Sequence, residues 1–383
     1  MALTVLAHVS SFKLELGNVY YGILICTFLL LLAPRKKHRL NPLMAWVVIA
    51  SFISILLNEI PSFFRSYERF VAFVMLIGLV GPLINNSSLQ LFRTKLFATI
   101  NILIVVMVLI SFLGIATGLP FALGRGGFAG VFNHSMILGP MAAIAMLVSI
   151  NLAYGVEQSK YHRIFLAIAA VAFVTCVAAG SRSALLAGVG GGLFYYYKIN
   201  QGQLNRYMRS VVAILALLIL SFPVWEPYTE RISGKMAYAE QHGDVLVSRT
   251  ALWELRLREF KTSPIVGVGF AAVNTTMSTR FDAIEGKVEP GSSWLAVLSM
   301  IGLLGFIPLL LLILGYLEQV YKEKGDKKNS AYLGALLIFF IIHMMAEGYI
   351  LSAGSGLFFY FWLTLGILEQ NKKRKSRIRY LTL

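Results

Sequence analysis

The sequence predicts an all-α protein, a polytopic membrane helix bundle with about 11 transmembrane helices. Of the 383 residues, 57% are hydrophobic and only 14% are charged, a balance that soluble globular domains do not need. The apolar residues form long runs, which one polar stretch at residues 226–292 interrupts late in the chain. We therefore expect a single integral membrane domain over residues 1–383, with one long extracytoplasmic loop between late helices.

The predicted helices are apolar segments close to the roughly 17–25 residues that cross a bilayer. Eleven segments qualify, at approximately 17–33, 43–60, 70–85, 97–118, 135–154, 163–179, 183–197, 210–225, 293–317, 331–349 and 351–368. Cys26 and Cys176 lie inside these segments, where we expect them to act as small hydrophobic residues.

The net charge of +16 indicates how the chain is oriented. The connections after the odd-numbered spans hold 21 of the 34 Lys and Arg residues but only 5 of the 18 acidic residues. Positive loops stay on the cytoplasmic side, so we expect a cytoplasmic C-terminus, an external N-terminus and an external 226–292 loop. The basic tail is read as topogenic charge near anionic lipid, and no nucleic acid is expected as a partner.

The long loop contains a helical pattern over residues 248–260, which Pro264 ends. Four residues fall on one face at spacings of four, three and four, namely Arg249, Trp253, Arg256 and Phe260. Such a face suits a helix at the headgroup level, where aromatic rings anchor and arginines meet phosphates. The alternative is a solvated helix with internal ion pairs such as Glu254–Arg258.

Arginines are the first candidates for chemistry. Arg182 lies in a tight turn between two apolar spans, where a charge tends to face a cavity or a partner; the alternative is a side chain that snorkels to the interface. Arg249 and Arg256 could clamp a pyrophosphate, because an arginine fork binds phosphate bidentately and keeps its charge.

Carboxylates and histidines are the second group. Glu289 stands just before the ninth span, at a boundary that can raise a carboxyl pKa and make it a general base. His343 and Glu347 are four residues apart near the outer end of the tenth span, either facing a cavity or satisfying each other. His134 ends a glycine-rich loop and could touch substrate, whereas Asn133 is more simply a helix cap.

The order of these motifs resembles the O-antigen ligase and polymerase family of bacterial envelope glycosyltransferases. The matching pieces are Gly124–Gly130 with Asn133-His134, Gly180–Ala184, Ser248–Trp253, Pro264–Phe270, and Ser292–Leu295 running into Gly302–Gly305. The resemblance is clearest over residues 120–317.

The resemblance implies an enzyme that takes a glycan from an undecaprenyl-pyrophosphate carrier at the outer face of the bacterial cell membrane. It implies that Arg182 and Arg249 bind pyrophosphate and that Arg125 is a further outer-loop arginine. Arg182, Arg249 and Glu289 are thus the predicted catalytic residues, with substrate contacts from Arg125, His134, Trp253, Arg256, His343 and Glu347. No cofactor or metal is expected, and the implied partners are the lipid-linked oligosaccharide, membrane lipid and a polysaccharide chain-length regulator.

The favoured interpretation is a polymerase that joins such lipid-linked repeats, and two alternatives to it, a ligase and a transporter, stay open. Ligases of the family commonly carry a histidine where this chain has Glu289, which favours a polymerase over a ligase. A lipid-linked sugar transporter would be expected to carry polar groups near the bilayer midplane. Here the spans are nearly free of charge, which favours an enzyme.

Overall fold

The computed structural model describes residues 17–32, 38–58, 65–117, 123–124, 127–156, 158–201, 203, 205, 207–209, 211–212, 247–272, 281–282, 287–288 and 291–381. Within these ranges the chain is almost entirely helical, which confirms the predicted all-α membrane class. The predicted span at 210–225 lies almost wholly outside the described residues, so the count of eleven spans stays a prediction.

The described helices are α1 Gly17–Leu32, α2 Pro42–Leu56, α3 Ser66–Leu79, α4 Ser87–Thr117, α5 Ser135–Ala153, α6 Ser159–Ala178, α7 Arg182–Ile199, α8 Val247–Thr262, α9 Ser293–Lys322, α10 Lys327–Ala346 and α11 Gly356–Leu381. Three antiparallel pairs of two-residue strands accompany them, β1 Arg39–Leu40 with β2 Ile84–Asn85, β3 Leu123–Gly124 with β4 Gly127–Phe128, and β5 Phe281–Asp282 with β6 Lys287–Val288.

Five of these helices are long and apolar enough to cross a bilayer by length and composition: α4 (over Ser87–Gly114), α5, α6, α9 and α10. Two shorter apolar helices, α2 and the Gly22–Leu32 part of α1, accompany them. Apolar side chains on the outside of α9, at Leu303, Ile307, Leu311 and Leu314, are 39–52% exposed. Such a stripe is expected of a helix that faces lipid.

The core of the bundle lies around α5, α10 and the first part of α11. Nearly every residue of α5 is buried, and Phe358 to Leu368 are buried as well. Glycines let α7 approach α10 closely: a Cβ atom on Gly191 would lie 2.7 Å from the Ala335 carbonyl oxygen.

Contacts between helices show which ends lie together. Gly190 of α7 meets Ile342 of α10, and the later Phe194 meets the earlier Gly334, so these two helices are antiparallel. Gly139 of α5 packs against Ser181, and Trp294 of α9 donates to the Ile341 carbonyl. The N-termini of α5, α7 and α9 and the C-terminus of α10 therefore share one end of the bundle, here called the arginine end.

Helix α9 is broken at Gly302, a feature that the predicted uninterrupted span did not include. Gly302 has φ 60° and ψ −168°, a conformation open almost only to glycine. The segment 264–269 fills the break by supplying the missing backbone partners. Val268 N donates to Ser299 O at 2.7 Å, and Leu303 N donates to Pro264 O at 2.9 Å. Backbone groups at membrane depth must be paired inside the protein, and this insertion pairs them.

Candidate active site

Helix α8 carries three of the predicted site residues and packs along the first turns of α9. The pattern over 248–260 is confirmed as this helix, which ends two residues before Pro264. Trp253 Nε1 donates to the Gly291 carbonyl at 3.3 Å. Gly291 has φ +73°, and a Cβ there would lie 2.6 Å from Leu252 Cβ. The chain therefore needs glycine where the long loop returns to the bundle.

Arg249 forms an ion pair with Glu347 at the arginine end. The Arg249 Nη2 to Glu347 Oε1 distance is 2.6 Å, and the two side chains are 15% and 21% exposed. A charge-assisted contact of this length is among the stronger hydrogen bonds in proteins. The structure thus joins two residues that lie 98 positions apart in the sequence.

Ser293 holds the backbone around Glu347. The Ser293 amide and hydroxyl both donate to the Glu347 carbonyl, at 3.0 and 2.7 Å. The same hydroxyl accepts from the Tyr349 amide at 3.0 Å. Glu347 is also the C-cap of α10, with extended backbone angles. These bonds fix the backbone of Glu347, since they tie the end of α10 to the start of α9.

His343 lies one turn below Glu347 and is only 1% exposed. Its Nδ1 is 3.2 Å from the Tyr349 hydroxyl, and its ring stacks on Phe339 with a 5.4 Å centroid separation. Among the residues that the structure describes, its Nε2 has no hydrogen-bond partner. His343 and Glu347 do not satisfy each other through their side chains in the described contacts, because each pairs with a different residue.

Arg256 occupies a different environment from Arg249. It is 1% exposed, and its Nη1 pairs with Glu259 Oε2 at 2.7 Å, a carboxylate that is fully buried. The same nitrogen is 3.4 Å from Ser299 Oγ, just before the break in α9. In this conformation Arg256 is an internal strut between α8 and α9, and the exposed Glu254–Arg258 pair that the sequence suggested lies on the opposite face.

Arg182 and His134 lie at the arginine end on two other helices. Arg182 is the first residue of α7, half-buried, and follows the turn at Gly180 with φ +67°. His134 is the N-cap of α5, and its Nδ1 accepts from the Met136 amide at 3.1 Å. The cap is thus His134 and not Asn133. Glu289 and Arg125, the other two predicted site residues, lie outside the described residues.

Two functional features were missed by sequence reasoning. The first is the Ser293 network; its signal is the Ser292-Ser293 pair at the start of an apolar span, where a serine can cap a helix. The second is the interlock of the segment 264–269 with Gly302. Its signal is an isolated glycine inside an apolar helix pattern, which often has a packing reason.

The fold and the site together define a class, a multi-pass α-helical membrane protein with an arginine–carboxylate site at one end of its bundle. A protein-family model described as O-Antigen ligase matches residues 165–310. The match lies within the region where the motifs resemble this family, and it confirms that resemblance. It includes Arg182, Arg249 and the Gly302 break. The match points to a ligase- or polymerase-type transfer of glycans. No curated protein matches the chain.

Proposed function

We propose that this protein is a polymerase that joins undecaprenyl-pyrophosphate-linked oligosaccharide repeats into a capsule, O-antigen or exopolysaccharide at the outer face of the bacterial cell membrane. The observation that carries the proposal is the arrangement of the arginine end. Arg249 from α8 and the first residue of α7, Arg182, lie at the same end of a bundle in which residues 165–310 match the O-antigen ligase family.

The proposed reaction displaces a diphosphate from an anomeric carbon. An acceptor hydroxyl attacks C1 of the donor sugar, the bond from C1 to the diphosphate oxygen breaks, and the hydroxyl proton passes to a base. Negative charge builds on the leaving diphosphate, so fixed cations near that position stabilise the transition state. Arg182 and Arg249 are the proposed cations. No nucleotide sugar enters this scheme.

Glu289 is the proposed base that accepts the proton from the acceptor hydroxyl. It precedes Gly291 by two residues, and Gly291 is bonded to Trp253 on the same helix as Arg249. His343 is the weaker candidate for this role, since it is 1% exposed and stacked on Phe339. Glu347 already pairs with Arg249 in the structure, which makes it a weaker candidate as well.

A ligase is the second candidate, and the description of the matched family favours it. In that case the glycan passes to a lipid or protein acceptor without a carrier. The two functions share the donor, the diphosphate site and the base, and they differ only in the acceptor.

The test uses purified protein in detergent with a diphosphate-linked oligosaccharide as the only sugar, beside a Glu289→Gln variant. A ladder of longer glycans from the wild type, reduced about 100-fold or more in the variant, would support the polymerase with Glu289 as base. Transfer only after a second, carrier-free acceptor is added would favour the ligase. Donor binding without any transfer to either acceptor would contradict both enzymes and favour the transporter.

A further inference from the structure

An arginine site for phosphates at a bilayer surface faces abundant competitors. Anionic phospholipids such as phosphatidylglycerol carry a phosphodiester with a net negative charge, which an arginine fork can also bind. The Arg249 side chain is 15% exposed, so it is within reach of such ligands. A donor present in small amounts would meet a site already filled, unless something in the protein lowers its affinity for ordinary phosphates.

Glu347 is placed to do this. Its carboxylate contacts the Arg249 guanidinium at 2.6 Å. Its backbone is held by two hydrogen bonds from Ser293, so the residue stays beside Arg249 instead of moving with a loop. The Glu347 side chain is 21% exposed, and this partial exposure leaves it room to move when a stronger anion arrives.

We propose that Glu347 is an intramolecular competitor for the Arg249 anion site. A lipid diphosphate displaces the Glu347 carboxylate from Arg249, and a phosphodiester lipid does not. The proposal rests on the proposed function, because it assumes a diphosphate donor. In this role Glu347 sets how tightly an anion must bind to occupy the site; no covalent bond forms or breaks in the exchange.

The low occupancy of the site by single phosphodiesters follows from population arithmetic. When a site is open for only a fraction of the time, the apparent affinity of every ligand falls by that fraction. A phosphodiester with one charge, held by one arginine, then falls below the level needed to occupy the site. A diphosphate carries more charge and can also be held from the side of Arg182, so it still binds. The site therefore holds little lipid, and the diphosphate still fills it, although more weakly than it would without Glu347.

The experiment measures binding of an isoprenyl diphosphate to purified protein in nanodiscs of phosphatidylcholine. Glu347→Gln is expected to bind it about tenfold more tightly than wild type, a change equal to the loss of one charge-assisted contact. Glu254→Gln is the matched control. It removes one negative charge from the exposed Glu254–Arg258 pair on α8, the helix that carries Arg249, and is expected to change affinity less than twofold.

A second arm repeats the measurement in nanodiscs that contain phosphatidylglycerol. The anionic lipid is expected to cancel the gain of Glu347→Gln while leaving the wild-type affinity within about twofold. Two results would overturn the competitor and leave the proposed function intact. One is a correctly folded Glu347→Gln protein that binds the diphosphate with wild-type affinity. The other is an equal loss of diphosphate affinity in both proteins when phosphatidylglycerol is present. If neither protein bound the diphosphate, the proposed function itself would fail, and the competitor with it.

Discussion

At the scale of single residues, the site depends on how a few polar groups are held at the end of an apolar bundle. A buried polar group costs free energy unless it is hydrogen-bonded, so each one needs a partner in its own helix or in a neighbouring one. Ser293 illustrates the rule, because its hydroxyl serves Glu347 and Tyr349 at once while fully buried. Catalytic groups on such a scaffold keep their geometry without a rigid soluble domain.

Ser293→Ala is expected to destabilise the protein by about 1–3 kcal/mol, since it leaves a buried amide and carbonyl with fewer partners. Ser149→Ala is the control. Ser149 is equally buried, but its hydroxyl only adds a second bond to a carbonyl within its own helix α5. Thermal unfolding in detergent compares the two variants. Equal losses of stability in the two variants would show that the Ser293 hydrogen bonds stabilise the fold no more than an ordinary serine bond within a helix.

At the scale of elements, the break in α9 is the central feature of the site. The segment 264–269 inserts into this break and anchors the C-terminal end of α8 to the bundle. The position of Arg249, near the N-terminal end of α8, follows from this anchor. The break is built from backbone bonds between 264–269 and residues 299–304. A break of this kind in a membrane helix is stable only where the freed groups are paired.

Gly302→Ala is expected to cost at least about 2 kcal/mol, because alanine is strained at φ +60°. Its Cβ would also lie 2.2 Å from the Ile265 carbonyl oxygen. Gly315→Ala in the same helix is the matched control, since a Cβ there has no heavy atom within 4 Å. Unfolding temperatures should separate the two. A Gly302→Ala protein as stable as Gly315→Ala would contradict the interlock.

The Arg256–Glu259 pair tests whether a buried arginine is structural or binds substrate. Removing one partner of a buried pair leaves a lone charge, so Arg256→Met and Glu259→Leu should each cost about 3 kcal/mol. The double variant should cost much less, since both charges leave together. It should also retain most of its transfer activity. A double variant that is stable but inactive would indicate that Arg256 contacts substrate, as the sequence predicted.

At the scale of the whole molecule, the two ends of the bundle differ in chemistry. The arginine end carries Arg182, Arg249 and Glu347. The other end carries the tyrosines of α7 and α9: Tyr197 and Tyr321 stack there at 6.3 Å, beside the buried Lys198. The 18 residues of α7 give a length of about 27 Å between the ends, close to the roughly 30 Å of a bilayer core.

Thiol labelling tests the orientation that the charge pattern predicts. In a background without Cys26 and Cys176, we expect a membrane-impermeant reagent added outside intact cells to label Arg258→Cys and spare Lys324→Cys. Both positions are exposed in the structure, so access depends on the side of the membrane. The reverse labelling would overturn the predicted topology and with it the external site.

The sequence predicted the all-α membrane class, the ten described helices other than α8 as apolar spans, and α8 from its helical pattern. Apolar length and helical periodicity are local signals, which is why these predictions were possible. It also selected Arg249 and Glu347, each for a separate reason. It could not join them, since their contact depends on how α8 docks along α9. The depth of Arg256 was not readable either: periodicity places a residue on a face but not at a level in the bilayer. The break at Gly302 was not predicted because its backbone partners, in the segment 264–269, lie over 30 residues away in the chain.

The most direct measurement is the initial rate of glycan transfer from a diphosphate-linked donor, in proteoliposomes, for wild type and three arginine variants. Arg182→Ala and Arg249→Ala are expected to lower the rate about 100-fold or more, because each removes a cation that stabilises the leaving diphosphate. Arg258→Ala, which removes an exposed arginine paired with Glu254, should keep the wild-type rate. Folded Arg182→Ala and Arg249→Ala proteins that transfer glycan as fast as wild type would contradict the account.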